Sequence, residues 1–169
     1  MNIFITDENP EICATDLCDK HIVKMVLESG QMLSTAHRLC NGQSDVYKVA
    51  YKNHPCTIWT RASASNYFWH YQLFVAMSNE YKHRYKKNHT TFLKLQDKLC
   101  VLPRDIPMGK LTPFACCMPD EYKISNNVIL NYRWFITNKP FKKVWTNRDK
   151  PNWYNEFKCV DPLLANFAV

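Results

Sequence analysis

Apolar positions in this chain recur at helical spacing. Stepped at about 100° per residue between Asp16 and Leu39, Ile22, Met25, Val26, Ser29, Leu33, Ala36 and Cys40 fall on one face. Val23 and Leu27 form a second, smaller apolar face with Gly30 and Ser34, and a polar ridge of Leu17, His21, Lys24, Glu28, Gln31 and Thr35 runs between the two. This pattern predicts a helix clasped on most sides, its ridge lining a cleft. Charged groups there are costly to desolvate and are therefore paired or functional. The same spacing also suits a solvated row of ion pairs.

Other elements follow from similar signals. Asn2 to Thr6 reads as a short strand or extended arm. Asn9-Pro10-Glu11 opens a helical region that runs to about Cys40, jointed near Cys18, with Asn41-Gly42 as its stop. A second long helix is predicted from Cys56 to about Lys87, capped by Asn53, with a core stripe of Trp59, Ser63, Tyr67, His70, Phe74, Met77, Tyr81 and Tyr85. A third spans Thr91 to Leu102. The proline-rich stretch after it contains Thr112 to Asp120, apolar for a loop and suited to a lid or a pocket wall. Ser125 should cap a fourth helix, Asn126 to Asn138, with one further turn from Phe141 to Trp145. The fold class is mainly α: one compact helical domain over residues 1–169, with a short N-terminal extended arm and an irregular basic C-terminal tail.

Composition narrows the function. With 46% hydrophobic residues and only three glycines in 169, the chain is a folded globule, and no apolar run reaches membrane-spanning length. The start lacks a signal peptide, so a cytoplasmic location is expected (host cytoplasm for a viral protein), as a monomer. The eight cysteines lack zinc-ribbon spacing and read as reduced structural thiols, so neither metal nor other cofactor is expected. Net charge is +7, yet residues 1–30 carry −4, leaving +11 on the remainder, concentrated at Lys82 to Lys98 and Arg133 to Lys158. Bases interleaved with aromatics are the footprint of a nucleic-acid binder.

Phosphate loops, a Gly-x-Ser-x-Gly elbow and a His-Glu-x-x-His helix are absent. His70 reads as a satisfied core histidine. The remaining chemical candidates are Glu28, His21 and Lys24, with Gln31, Asn53, His54 and Asn66 as pocket residues. Arg61, Lys82, Arg84, Lys86, Arg133, Arg148, Lys150 and Trp153 are the candidate DNA contacts. The Tyr81 to Lys87 run equally suits a cationic helix end.

These residues carry a resemblance. The frame His21-Ile22-Val23-Lys24-Met25-Val26-Leu27-Glu28 behind a short arm, the helix opening at His54, and Pro151-Asn152-Trp153-Tyr154 resemble the phage pyrimidine-dimer DNA glycosylases of the endonuclease V type. The chain is also similar to a group of small uncharacterised phage proteins that share the stretches at 18–21 and 53–56. The resemblance implies an all-α fold and DNA binding that exposes a damaged pyrimidine. It further implies an N-terminal α-amine that forms a Schiff base with deoxyribose, assisted by a carboxylate, here Glu28. The family exposes its amine by removing Met from before a small residue. Asn2 is bulky, so Met1 is expected to stay, and Met1 or Lys24 is the candidate amine, with His21 positioning or moving protons. The arm also carries Asp7 and Glu8 in place of the family's bases. The reading is a DNA repair-type glycosylase/AP lyase acting on damaged or modified pyrimidines. A pyrimidine-modifying nucleotide or base transferase and a non-enzymatic DNA-binding or host-interaction protein remain open beside it.

Overall fold

Asn9 accepts from the Glu11 N–H and Pro10 fills the first turn of α1 (Pro10–Asp16). Leu17 and Cys18 then adopt extended backbone, so the joint falls near Cys18 as the sequence suggests, and α2 (Asp19–Asn41) starts three residues after Asp16. Gly42, at φ 68°, ends α2 in the left-handed conformation that glycine adopts without a steric cost. The structure is a computed structural model that describes residues 1–158. Cys159, expected to be a structural thiol, lies outside the described residues.

The second predicted helix is two helices, α3 (Pro55–Ala62) and α4 (Ala64–Tyr85), broken at extended Ser63. Tertiary hydrogen bonds explain the break. Ser63 Oγ accepts from Asn66 N–H as the α4 cap and donates to the Lys110 carbonyl, while Ala64 N–H donates to the Pro107 carbonyl. His54, not Asn53, caps α3, its Nδ1 accepting from Cys56 N–H. The third helix, α5 (Thr90–Leu99), stops three residues before the predicted Leu102. Asn127, not Ser125, caps α6 (Val128–Asn138); Ser125 instead donates its N–H to Asn131 Oδ1. Residues 141–145 form no helical turn, because Lys143 Nζ donates to the Thr137 and Lys139 carbonyls and closes the end of α6. The tail expected to be irregular contains α7 (Asn152–Lys158), with Trp153 and Tyr154 buried.

Helix α2 is central, packed against α3, α4 and α5, while α1 lies on α4 and α7 on α6. Its predicted core stripe is buried from Ile22 to Ala36. The second apolar face is not: Val23 is 46% and Leu27 41% exposed, so α2 is clasped on fewer sides than the pattern suggests. The arm carries Ile3, Phe4 and Ile5 into the core without forming a strand; the described residues contain none. Phe114, from the apolar loop, packs on Trp59 and Trp69 with centroids 5.4 and 4.8 Å away, so that loop covers the core as expected. Among the described residues no helix is long and apolar enough to cross a membrane.

Gly30 sets the approach of α5 to α2. A Cβ there would stand 2.6 Å from Thr91 Cγ2 and 3.1 Å from Leu95 Cδ1. Gly30→Ala should therefore lower stability by about 1–2 kcal/mol, overpacking outweighing the better helix propensity of alanine. Adding Thr91→Ser, which removes the clashing methyl, should recover most of the loss in urea unfolding; a stabilised single variant would refute the close packing.

Candidate active site

Helix α2 brings His21, Lys24 and Glu28 to one side, and the arm lays its first two residues over them. The Glu28 carboxylate is buried and its two oxygens have different partners. Oε2 accepts from Asn2 N–H at 2.9 Å and lies 3.7 Å from the Met1 amine, while Oε1 pairs with Lys24 Nζ at 3.0 Å. Lys24 is largely exposed, so its pair with Glu28 is anchored at one end only.

The arm is held at this spot by its second residue. Asn2 Nδ2 donates to the Cys117 carbonyl at 2.6 Å. Asn2 Oδ1 accepts from Ile3 N–H and lies 2.8 Å from Tyr132 Oη and 3.5 Å from Cys56 Sγ. Tyr132 Oη in turn accepts from Cys117 N–H. Asn2, whose bulk led to the expectation that Met1 stays, is thus the clamp that fixes the arm.

Around Glu28 opens a cleft of about 340 Å³ whose lining includes Met1, Phe4, His21, Lys24, Phe135, Lys139 and Phe141. Lys139 Nζ sits over the rings of Phe135 (4.5 Å) and Phe4 (5.2 Å), and Lys20 Nζ sits over Phe141 at 4.6 Å. Such cation–π contacts hold ammonium groups against the ring faces. Burial and neighbouring Lys24 and Lys20 push the Lys139 pKa below its ordinary value. His21 stacks between Phe4 and Phe141, centroids 4.6 and 5.6 Å away. Burial first, then Lys139, Lys143, Lys24 and Lys20, drive its pKa down to about 3. The imidazole is therefore neutral near pH 7 and forms part of the cleft wall.

Several other expected site residues have structural work. Arg84 is buried, bound to Glu80 at 2.7 Å and Asp19 at 2.9 Å, and donates to the Thr15 carbonyl. Arg148 grips the same Glu80 with Nε at 2.9 Å and Nη2 at 2.7 Å. Burial would raise the Asp19 and Glu80 carboxyls, but hydrogen bonds from Thr146 and Arg84, and from Arg148 and Arg84, outweigh it and hold both below the usual range. Arg133 donates to the Thr6 carbonyl and stacks on Trp153, whose indole N–H binds Asp16 Oδ2 at 2.9 Å. Asn66 is wholly buried, tied to Trp59 and Thr112. Arg84, Arg133, Arg148, Trp153 and Asn66 are thus committed to the fold, because their partners lie in distant segments that spacing does not reveal.

The remaining residues are distributed differently. Arg61 is half-buried, with Nη1 buried and unpartnered. Lys82, Lys86 and Lys150 are exposed, the first two lining a shallow surface hollow with His83. Asn53 is exposed, and Gln31 lies one turn beyond the cleft lining. His54 stands near the arm's amine and Glu28. Sequence reasoning missed Asn2, Phe4, Phe135, Lys139 and Phe141. The run Lys139-Pro140-Phe141 carries a usable signal, a base and an aromatic flanking the proline that stops a helix. A larger groove of about 1000 Å³ lies between α1 and α4, but Glu8 and Glu11 in its wall suit it poorly to a phosphate.

An amine and a carboxylate at the floor of a lysine-rimmed aromatic cleft, on an all-helical scaffold, are the parts that a base-excising DNA enzyme uses. Residues 1–93 match the family model described as pyrimidine dimer DNA glycosylase, and the chain belongs to that family. The matched span holds Met1, Asn2, His21, Lys24, Glu28 and His54, whereas Phe135, Lys139 and Phe141 lie beyond it. No curated protein and no solved structure gives a significant match.

Two predictions follow from these burials. Arg84→Met should cost about 3 kcal/mol in denaturant unfolding, since it strips Asp19 of its buried cation while Arg148 still covers Glu80. His21 and His70, the latter wholly buried and also lowered to about 3, are neutral when folded but take up protons below about 6.5 when unfolded. The unfolded state thus binds more protons between pH 3 and 6.5, and stability should fall as pH drops through that window. His21→Gln should flatten the slope of urea midpoint against pH; an unchanged slope would show that His21 does not contribute.

Proposed function

We propose that this chain excises damaged pyrimidines from DNA and then cleaves the resulting abasic site, using the arm's α-amine as nucleophile and Glu28 as its carboxylate. One observation carries the reading: the backbone nitrogens of residues 1 and 2 lie 3.7 and 2.9 Å from a buried carboxylate in a cleft that opens to solvent among lysines and aromatic rings.

In this scheme the amine attacks C1′ of the damaged nucleotide and the pyrimidine leaves with the bonding pair. Opening of the sugar and loss of the amine proton give an imine. β-Elimination then breaks the 3′ C–O bond, and water releases the enzyme. Glu28 stabilises the developing sugar cation and shuttles the protons. If Met1 is removed, the Asn2 nitrogen becomes the α-amine at the position nearest Glu28. Lys24 is the alternative amine, and its 3.0 Å pair with Glu28 lets mapping decide between them. Lys20, Lys24 and Lys139 would contact phosphates, with Lys82, Lys86 and Lys150 adding sequence-independent attraction along the surface. Phe135 and Phe141, partly exposed in the cleft, would give an extruded base aromatic surface to pack on.

Borohydride added during incubation with duplex DNA carrying a thymine dimer or an abasic site should trap a covalent adduct, which peptide mapping assigns to the N-terminal residue. Glu28→Gln should lower trapping and strand scission by about a hundredfold or more. DNA binding with no adduct on either substrate would overturn the amine chemistry and favour a base-modifying or purely binding role.

A further inference from the structure

A second cluster sits on the other side of the Asn2 clamp. The ligand atoms of His54, Cys56 and Cys117 all lie within 4.8 Å of one another, although Cys117 comes from a loop remote in sequence. In a tetrahedral zinc site with bonds of about 2.0–2.3 Å, donor atoms stand roughly 3.3–3.8 Å apart, so closing on an ion needs movements of less than about 1 Å each.

The surroundings are ordered in the way ligands require. Cys56 is buried in the first turn of α3, and its N–H meets His54 Nδ1 at 3.2 Å. Cys117 is fixed through its own backbone, the N–H donating to Tyr132 Oη at 3.0 Å and the carbonyl accepting from Asn2 Nδ2. His54 and Cys117 are partly exposed, which leaves a way in from solvent. Two thiols and an imidazole form a borderline-soft donor set that favours zinc-like ions over magnesium or calcium.

We propose that His54, Cys56 and Cys117 bind one thiophilic divalent cation of the zinc class, with the fourth position facing the arm at Asn2 Oδ1, 3.5 Å from Cys56 Sγ. Ligation exchanges the His54 cap bond for a metal bond and releases the thiol protons. The ion joins the start of α3, the loop before α6 and the arm at one point. Its role is to stiffen the clamp on residue 2, and the site does not depend on the excision chemistry.

Cobalt(II) titrated into the fully reduced full-length protein without oxygen should produce thiolate-to-metal charge-transfer absorption that saturates at one equivalent and is displaced by zinc. Zinc should also raise the thermal midpoint. Cys117→Ser should abolish the band while far-UV circular dichroism shows a folded chain, and Cys100→Ser, an exposed thiol outside the cluster, should keep it. His54→Asn serves as a second variant, since asparagine can still cap α3, and it should weaken uptake. Absence of the band in the reduced parent, or the same band in Cys117→Ser, would overturn the site. A Cys56–Cys117 crosslink found by mass spectrometry, with no uptake after reduction, would overturn it in favour of a redox pair.

Discussion

A carboxylate taken out of water has to be satisfied, and Glu28 is the place where that requirement shapes this molecule. Its neighbours are a backbone N–H, an α-amine and one lysine, two of them supplied by the first two residues of the chain. The arm must therefore enter beside α2, and Ile3, Phe4 and Ile5 are buried as a result. The hydrophobic residues hold the arm down, but they would tolerate several placements. The hydrogen bonds of Asn2 with Cys117 and its approach to Tyr132 select one, and they draw the 103–127 loop and α6 to the same point.

Another part of the fold rests on a second set of charges, with Arg84 and Glu80 buried and Asp19 and Arg148 reaching toward solvent. Asp19, Arg84, Glu80 and Arg148 form a chain of ion pairs between α2, α4 and the segment before α7, and Trp145 and Trp153 bind Asp16 alongside it. Breaking one member of such a network leaves an uncompensated charge in low dielectric. The consequence for function is subtractive. Of the bases that made the sequence look like a DNA binder, Arg84 is buried in ion pairs, and Arg133 and Arg148 are tied to Asp7 and Glu80. Lys20, Lys24 and Lys139 line the cleft, and Lys82, Lys86 and Lys150 stay exposed on the surface.

This division explains what the sequence could and could not disclose. Helical period located six of the seven α-helices among the described residues, in four predicted stretches, because burial of α2 and α4 follows their apolar stripes closely. It missed the break at Ser63, where a loop from forty residues away supplies the hydrogen bonds, and it missed α7, whose short helix depends on packing against α6. At the site, His21, Lys24 and Glu28 were legible since one helix face carries them all. Lys139 and Phe141 were not, since only the meeting of α2 with the end of α6 gives them a place. The charge state of His21 was likewise invisible: burial between two aromatic rings decides it first, and four lysines from two segments add to it.

The two walls of the cleft thus have separate origins. Everything the resemblance assigns to bond-making lies within residues 1–93, the span shared with the family model. The facing wall of Phe135, Lys139 and Phe141 comes from beyond it, carried on α6 and the turn that follows. The cleft thus sets the carboxylate and amines of α2 and the arm against rings and a lysine carried on a different element. The arm–α6 contact through Tyr132 and Asn2 keeps the two in register. A shift of α6 would therefore reshape the cleft wall without breaking the Glu28 pair with Lys24, whereas a change at Asn2 would disturb the wall and the carboxylate at once.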